Sequence, residues 1–212
     1  METNELIKAL AADTRRPGLP LGRAWIAAVA AAVLVAAGVF FVLLGPRPDA
    51  QEALSTVRFV FKFVFTIALA VAAYRLAVAV SRPGGDLRAA LSGMLVAPFL
   101  LAFSVLLELV AVPSTNWTAR LVGTNSTVCL TFVPLIGGIP LVVLLLAMRH
   151  GAPVNATAAG AVTGLLAGGI AATFYAAHCP DDSPLFVAVW YPLAIAILAS
   201  LGALLGRLCL RW

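Results

Sequence analysis

The chain has 212 residues, 62% of them hydrophobic and 11% charged, where a soluble domain is about half apolar and about a quarter charged. That composition excludes disorder and an ordinary water-soluble globule. It leaves room for six membrane crossings of about 20 apolar residues each, and for no second folded domain or enzyme of the usual soluble kind. The net charge of +5 reads as the basic surplus that membrane proteins keep on their cytoplasmic side, because no basic run interleaved with aromatics offers a surface for nucleic acid.

In chain order, residues 1–23 form a polar head. Thr3 or Asn4 can cap a short helix. Leu6, Ile7 and Leu10 then share one stripe at helical spacing, with Glu5, Lys8 and Asp13 turned elsewhere. Arg15-Arg16-Pro17-Gly18-Leu19-Pro20 ends it. A helix this short is unstable alone in water, so it must dock on the membrane surface, on its own bundle or in a partner's groove. Six apolar runs follow, at 24–44, 59–80, 89–112, 127–148, 156–177 and 185–205. The first exceeds the apolar length of a cleaved signal peptide and reads as a retained helix.

In lipid every backbone polar group must pair within its own segment, so each run is expected to be a helix. The connections are rich in proline and glycine: Gly45-Pro46-Arg47-Pro48, Arg82-Pro83-Gly84-Gly85, Gly151-Ala152-Pro153 and Cys179-Pro180-Asp181-Asp182-Ser183-Pro184. Such corners reverse the chain. The expected fold is an all-α membrane protein, an up-and-down bundle of six transmembrane helices with a short cytoplasmic amphipathic helix in front. Pro98, Pro134, Pro140 and Pro192 fall inside runs and are expected to kink them. Gly160, Gly164 and Gly168, and then Gly202 and Gly206, have the spacing that lets helix backbones approach. With the N-terminus in the cytoplasm, ten of the 14 Lys and Arg residues lie inside, and Arg47, Arg58, Lys62 and Arg120 lie outside. The bias places both termini in the cytoplasm.

On this topology Cys129 opens the fourth helix at the outer face, Cys179 sits in the outer loop after the fifth, and Cys209 lies at the inner end of the sixth. Two thiols share an oxidising compartment, and His178, Asp181 and Asp182 flank one of them. Thiolates with imidazole suit soft or borderline cations, and two thiols alone suit a reversible disulfide. His178, Asp181 and Asp182 are therefore candidate auxiliary ligands to a metal at Cys129 and Cys179, although the spacing is no standard zinc pattern. The bland alternative is that each cysteine is a small buried hydrophobe. Lys62 and Glu108 intrude into runs at matching depth from the outer side. A charge inside the membrane needs a partner or water, so the two are expected to pair or to share a polar pocket. The glycosylation-like triplets at Asn116, Asn125 and Asn155 read as chance matches, and Trp117 and Trp190 as interfacial anchors. No catalytic triad, phosphate loop or nucleotide fingerprint appears, and no cofactor is implied.

The head Glu5-Leu6-Ile7-Lys8-Ala9-Leu10-Ala11-Ala12-Asp13 resembles the start of the NrsF-type proteins. The resemblance recurs in Leu44-Gly45-Pro46-Arg47-Pro48-Asp49, in Arg58-Phe59-Val60-Phe61-Lys62 and around Cys129. It is closest in His178-Cys179-Pro180-Asp181-Asp182-Ser183-Pro184-Leu185-Phe186, followed by Trp190-Tyr191. That family consists of six-helix negative regulators, anti-sigma factors, of extracytoplasmic-function (ECF) sigma factors in the bacterial inner membrane. The resemblance implies that the N-terminal segment holds a sigma factor at the membrane, and the stripe of Leu6, Ile7 and Leu10 is the surface expected to bind it. It also implies that two outer-side cysteines, matched here by Cys129 and Cys179, are needed for response to heavy metal or oxidant. Cys209 receives no role. Among the rivals, a metal or small-solute transporter needs a polar path through the membrane, and a quinone-linked thiol oxidoreductase needs a relay of two cysteine pairs. A purely structural membrane protein needs neither.

Overall fold

Long apolar runs broken by proline and glycine corners can satisfy their backbones in lipid only as helices. The computed structural model, which describes residues 3–12 and 20–210, contains no strand among those residues. In order the elements are α1 (Thr3–Ala12), α2 (Leu21–Leu43), α3 (Ala50–Ala53), α4 (Val57–Val80), α5 (Leu87–Gly93) and α6 (Val96–Ala111). After a 3-10 turn at Ser114–Asn116 come α7 (Trp117–Val122), α8 (Ser126–Met148), α9 (Ala156–His178) and α10 (Pro184–Cys209). Six segments are long and apolar enough to cross a membrane: Leu21–Leu43, Val57–Val80, Leu87–Ala111, Ser114–Met148, Ala156–His178 and Pro184–Cys209.

These match the six expected runs within a few residues, except that the third and fourth are compound. The third breaks at Met94 and Leu95 between α5 and α6. Pro98 consequently stands third in α6, within its first turn, where a missing N–H removes no intrahelical bond. The kink expected there is replaced by a helix start. Pro134 and Pro140 are interior to α8, and Pro192 to α10. Local chemistry sets several other starts. Asp86 accepts from Ala89 N at α5, Asn155 from Ala158 N at α9, and Ser183 from Leu185 N at α10, where Pro184 follows as first residue.

The fifth span, α9, is central and packs on α10, α4 and α8. Its seam with α10 is backbone against backbone. A methyl group on Gly160 would stand 2.1 Å from the Gly202 carbonyl oxygen, and one on Gly202 would stand 2.3 Å from that of Gly160. Small residues make this contact possible.

At one end, the corner after α2 meets the end of α9, with Arg47 N donating to Ala177 O at 3.0 Å. At the other end, Trp25 Nε1 donates to Ser81 Oγ (3.2 Å) and Ala152 N to Ser81 O (3.0 Å). The start of α2, the end of α4 and the approach to α9 therefore share that second end. The head α1 precedes Leu21 and leads off from it. Glu5, Ile7 and Lys8 are exposed on α1, whereas the Leu6 and Leu10 side chains lie outside the described residues.

Candidate functional site: two thiols in an ion-paired end

Cys129 is the fourth residue of α8, and its N–H donates to Asn125 O at 2.8 Å. Cys179 directly follows α9 in extended conformation, and its N–H donates to Tyr175 O at 3.0 Å. The residues one turn before each thiol are joined to one another, because the Tyr175 hydroxyl donates to Asn125 O at 3.3 Å. This bond braces the start of α8 against the end of α9 and sets both thiols, 0% exposed, in one buried cluster with Tyr175, Phe186 and Tyr191. Both are free thiols. Burial pushes the Cys179 thiol up, against the pull of the nearby Lys62 charge. Cys209 is exposed at the far end of α10.

Around the thiols runs a layer of ion pairs. Lys62, sixth in α4 and fully buried, donates to Cys179 O at 2.7 Å and pairs with Asp182 Oδ1 at 2.5 Å. Arg47 reaches Asp182 at 2.9 Å and Cys179 O at 3.5 Å, and it also pairs with Asp49. That pairing holds the exposed Asp49 carboxyl down to about 2. Glu108, near the end of α6, receives Arg58 at 2.8 Å, Arg120 at 2.6 Å and the Ser183 hydroxyl at 3.2 Å.

Lys62 and Glu108 thus do not pair with each other. Lys62 points toward the α9–α10 loop and Glu108 toward the start of α4 and the last turn of α7, although their depths agree. What joins them is Asp182 followed by Ser183, so they lie in one polar layer without touching. The auxiliary ligands expected beside Cys179 are also committed elsewhere. His178 Nδ1 is bonded to Gly45 O at 3.0 Å. Asp181 accepts from Thr124 N at 3.0 Å and Asn125 N at 2.8 Å, which caps the start of α8. Asp182 is held by two cations. Among the described residues no group of three or more His, Cys, Asp and Glu is arranged to hold a metal ion. A soft ion would find the two sulphurs and little else.

Arg47, Arg58, Arg120, Tyr175, Ser183 and Tyr191 were not singled out as site residues by the sequence. A signal existed for some of them. Arg58 and Lys62 are four apart and so share the outer turn of α4, and Tyr175 stands four before Cys179. The last piece is Gly123, at φ +59°, between α7 and α8. A side chain there would meet the Phe186 ring at 2.4 Å, so glycine allows α7 to close over the α9–α10 loop.

Fold and site together define a multi-pass helical membrane protein with two buried thiols at one end and a short polar head leading from the other. The chain belongs to the NrsF family, whose model, described as "Negative regulator of sigma F", matches residues 10–212. Over 219 aligned residues, spanning both chains in full, it is 34% identical to a protein of Caulobacter vibrioides named anti-sigma-F factor NrsF. Over 224 residues, again spanning both, it is 31% identical to one of Azospira oryzae named probable anti-sigma-F factor NrsF. No solved structure matches the chain.

Proposed function

We propose that the chain is a membrane anti-sigma factor that reads a thiol-reactive signal on one side and releases its partner on the other. Residues 1–23 form the cytoplasmic binding segment and hold an ECF sigma factor through Leu6, Ile7 and Leu10. Residues 24–212 form the six-span domain, in the bacterial inner membrane with both termini in the cytoplasm. Cys129 and Cys179 face outward and meet heavy metal or oxidant. Drawing them together moves α8 against α9 and α10, and the shift reaches the head through the packed spans.

One observation carries this reading. The thiols and the head belong to opposite ends of α2, whose 23 residues measure about 34 Å at the helical rise. Charge supports the orientation. The four basic residues at the thiol end, Arg47, Arg58, Lys62 and Arg120, are all paired with Asp49, Asp182 or Glu108. The bias is set by the count of Lys and Arg, and four of the 14 is the smaller share, which favours an outward assignment. The energy scale is adequate: a swing from mostly bound to mostly free needs about 5.5 kcal/mol between states, within what disulfide or thiolate–metal formation supplies. The transporter reading gains nothing. Deep in the bundle the buried polar side chains, Thr66 and Thr163, bond to carbonyls of their own helices, and the buried charges crowd one end.

The test uses the full chain in cells carrying a reporter driven by the sigma factor. Leu6→Asp with Leu10→Asp should switch the reporter on without any signal and free the sigma factor from membranes. Cys129→Ser or Cys179→Ser should leave the reporter silent under cadmium or dichromate. Induction that persists without either thiol removes the sensor, and silence in the leucine variants removes the binding segment.

A further inference from the structure

We propose that the slot between α4 and α6 holds one acyl chain of a bilayer phospholipid, whose phosphate rests on Arg58 and Arg120. The proposal needs the six spans to cross a bilayer and is independent of the thiol and sigma-factor readings above.

The third span is the least covered by its neighbours, with 11% of its most apolar stretch buried. Its longer part, α6, meets α4 but leaves an open slot of about 360 Å³ beside it. Phe61 of α4 and Leu100, Phe103 and Leu107 of α6 form the walls. Along α6 the slot runs from Leu100 to Ala111, about 16 Å at the helical rise. That is close to half of the roughly 30 Å hydrocarbon thickness, or one leaflet. Beyond Arg58, the polar side chains of the slot are already paired. Ser104 Oγ donates to Leu101 O of its own helix at 2.8 Å, and the Glu108 oxygens accept from Arg58, Arg120 and Ser183. An apolar chain fills such a slot with no polar side chain of its walls left stranded.

Arg58 lines both this slot and a polar cavity of about 760 Å³ that Arg120 also lines. Arg58 spends Nε and Nη2 on one oxygen of Glu108, at 2.9 and 2.8 Å, and Arg120 spends Nη1 on the other, at 2.6 Å. Among the described residues, Arg58 Nη1 and Arg120 Nε and Nη2 have no acceptor. Two guanidiniums against one carboxylate leave a single positive charge at the end of the slot. The spare N–H groups have the planar fork that suits phosphate oxygens. The same place is the start of α4. Thr56 before it spends its hydroxyl on Ala53 O and caps nothing, so the first N–H groups of that helix add to the preference for an anion. Asp181 and Asp182 face the cavity from the α9–α10 loop. Asp182 is held by Lys62 and Arg47, and Asp181 by the N–H groups of Thr124 and Asn125. A phospholipid supplies both things the site lacks, a monoanion and a tail as long as one leaflet. An apolar span from a second copy would fill the slot but bring no anion to the arginines.

The experiment is native mass spectrometry of the full-length protein in mild detergent, following the first lipid bound. The probes are palmitoyl-oleoyl phosphatidylglycerol and palmitoyl-oleoyl glycerol, which has the same chains and no phosphate. The phospholipid should bind at least about tenfold more tightly, the scale of one hydrogen bond to a charged group. Arg120→Gln, on α7 and outside the slot walls, should remove most of that advantage and leave the binding of palmitoyl-oleoyl glycerol unchanged. Ser104→Phe, which fills the slot and leaves the ion pairs in place, should weaken both lipids alike. Equal binding of the two lipids, or phospholipid binding unmoved by Arg120→Gln or by Ser104→Phe, overturns the proposal. So does a dimer that Ser104→Phe splits, because the slot would then belong to a second copy.

Discussion

The third and fifth spans are both apolar enough to cross a membrane, yet they live in different surroundings. In the fifth, 61% of the most apolar stretch is buried inside the protein, and in the third only 11% is. The fifth is also the less hydropathic of the two. It is built from Ala, Gly and Thr, and it buries backbone against α10 at Gly160 and against α4 at Gly169. The third turns Phe99, Phe103, Leu106 and Val110 outward and fastens its far end to the bundle with a carboxylate, Glu108. Hydropathy therefore ranks contact with lipid rather than centrality. In a bilayer the helix that holds the others is assembled from small side chains, because close approach, and not expulsion of apolar surface from water, is what favours association.

The sharpest way to break this contrast is to crowd the fifth span. Gly160→Leu drives a side chain into the Gly202 backbone, where nothing flexible can yield. It should cost about 3 kcal/mol or more, read as a lowered unfolding temperature of the full chain in mild detergent. Val110→Ala on the third span, at a site 89% exposed, should stay within about 0.5 kcal/mol. Equal losses at the two sites would end the distinction. Next in size is Lys62→Met, which removes a buried charge from Asp182 and a donor from Cys179 O while Arg47 still holds both. A loss of about 2 kcal/mol is expected. Glu108→Gln comes lower, at about 1 kcal/mol, because Arg58 and Arg120 are 45% and 37% exposed and regain water. Its distinctive mark is greater mobility of a spin label at Ser104 on the third span, with none at the fifth.

The smallest effect is a pH dependence at the corner after α2. Asp49 is held to about 2 by Arg47, below its ordinary 3.8. A depressed carboxyl contributes stability that is fully present above its unfolded value and is lost as pH falls through its folded value. The dependence should lie between about 4 and 2, and Asp49→Asn should flatten it in unfolding-temperature profiles.

The sequence was most legible where one number decides the outcome. A run of apolar residues has to be a helix in lipid, so the six spans could be read to within a few residues, and the thiols could be placed in the order of the chain. Distance along a helix was also readable, which is why Lys62 and Glu108 stood out at one depth. Direction around the helix was not. Whether Lys62 points to Glu108 or to Asp182 depends on how α4 is rotated against α9, and that rotation is set by contacts such as Gly169 against Ala70, made between residues about 100 positions apart. The same holds for His178, Asp181 and Asp182. Their types suggested ligands, but each is already used to pin a corner or a helix start, and only the assembled loop reveals those obligations. The break at Met94 and Leu95 was hidden because both pieces of the third span are apolar.

Lys62 and Arg47 grip residue 179 by its main-chain carbonyl, and a main chain is the same whatever side chain it carries. A serine in that position leaves both cations their acceptor and keeps the corner moored. Deafness in a serine variant would therefore report missing sulphur chemistry and not a sagging scaffold. In this family member the mooring and the proposed listening part are separable by a single atom.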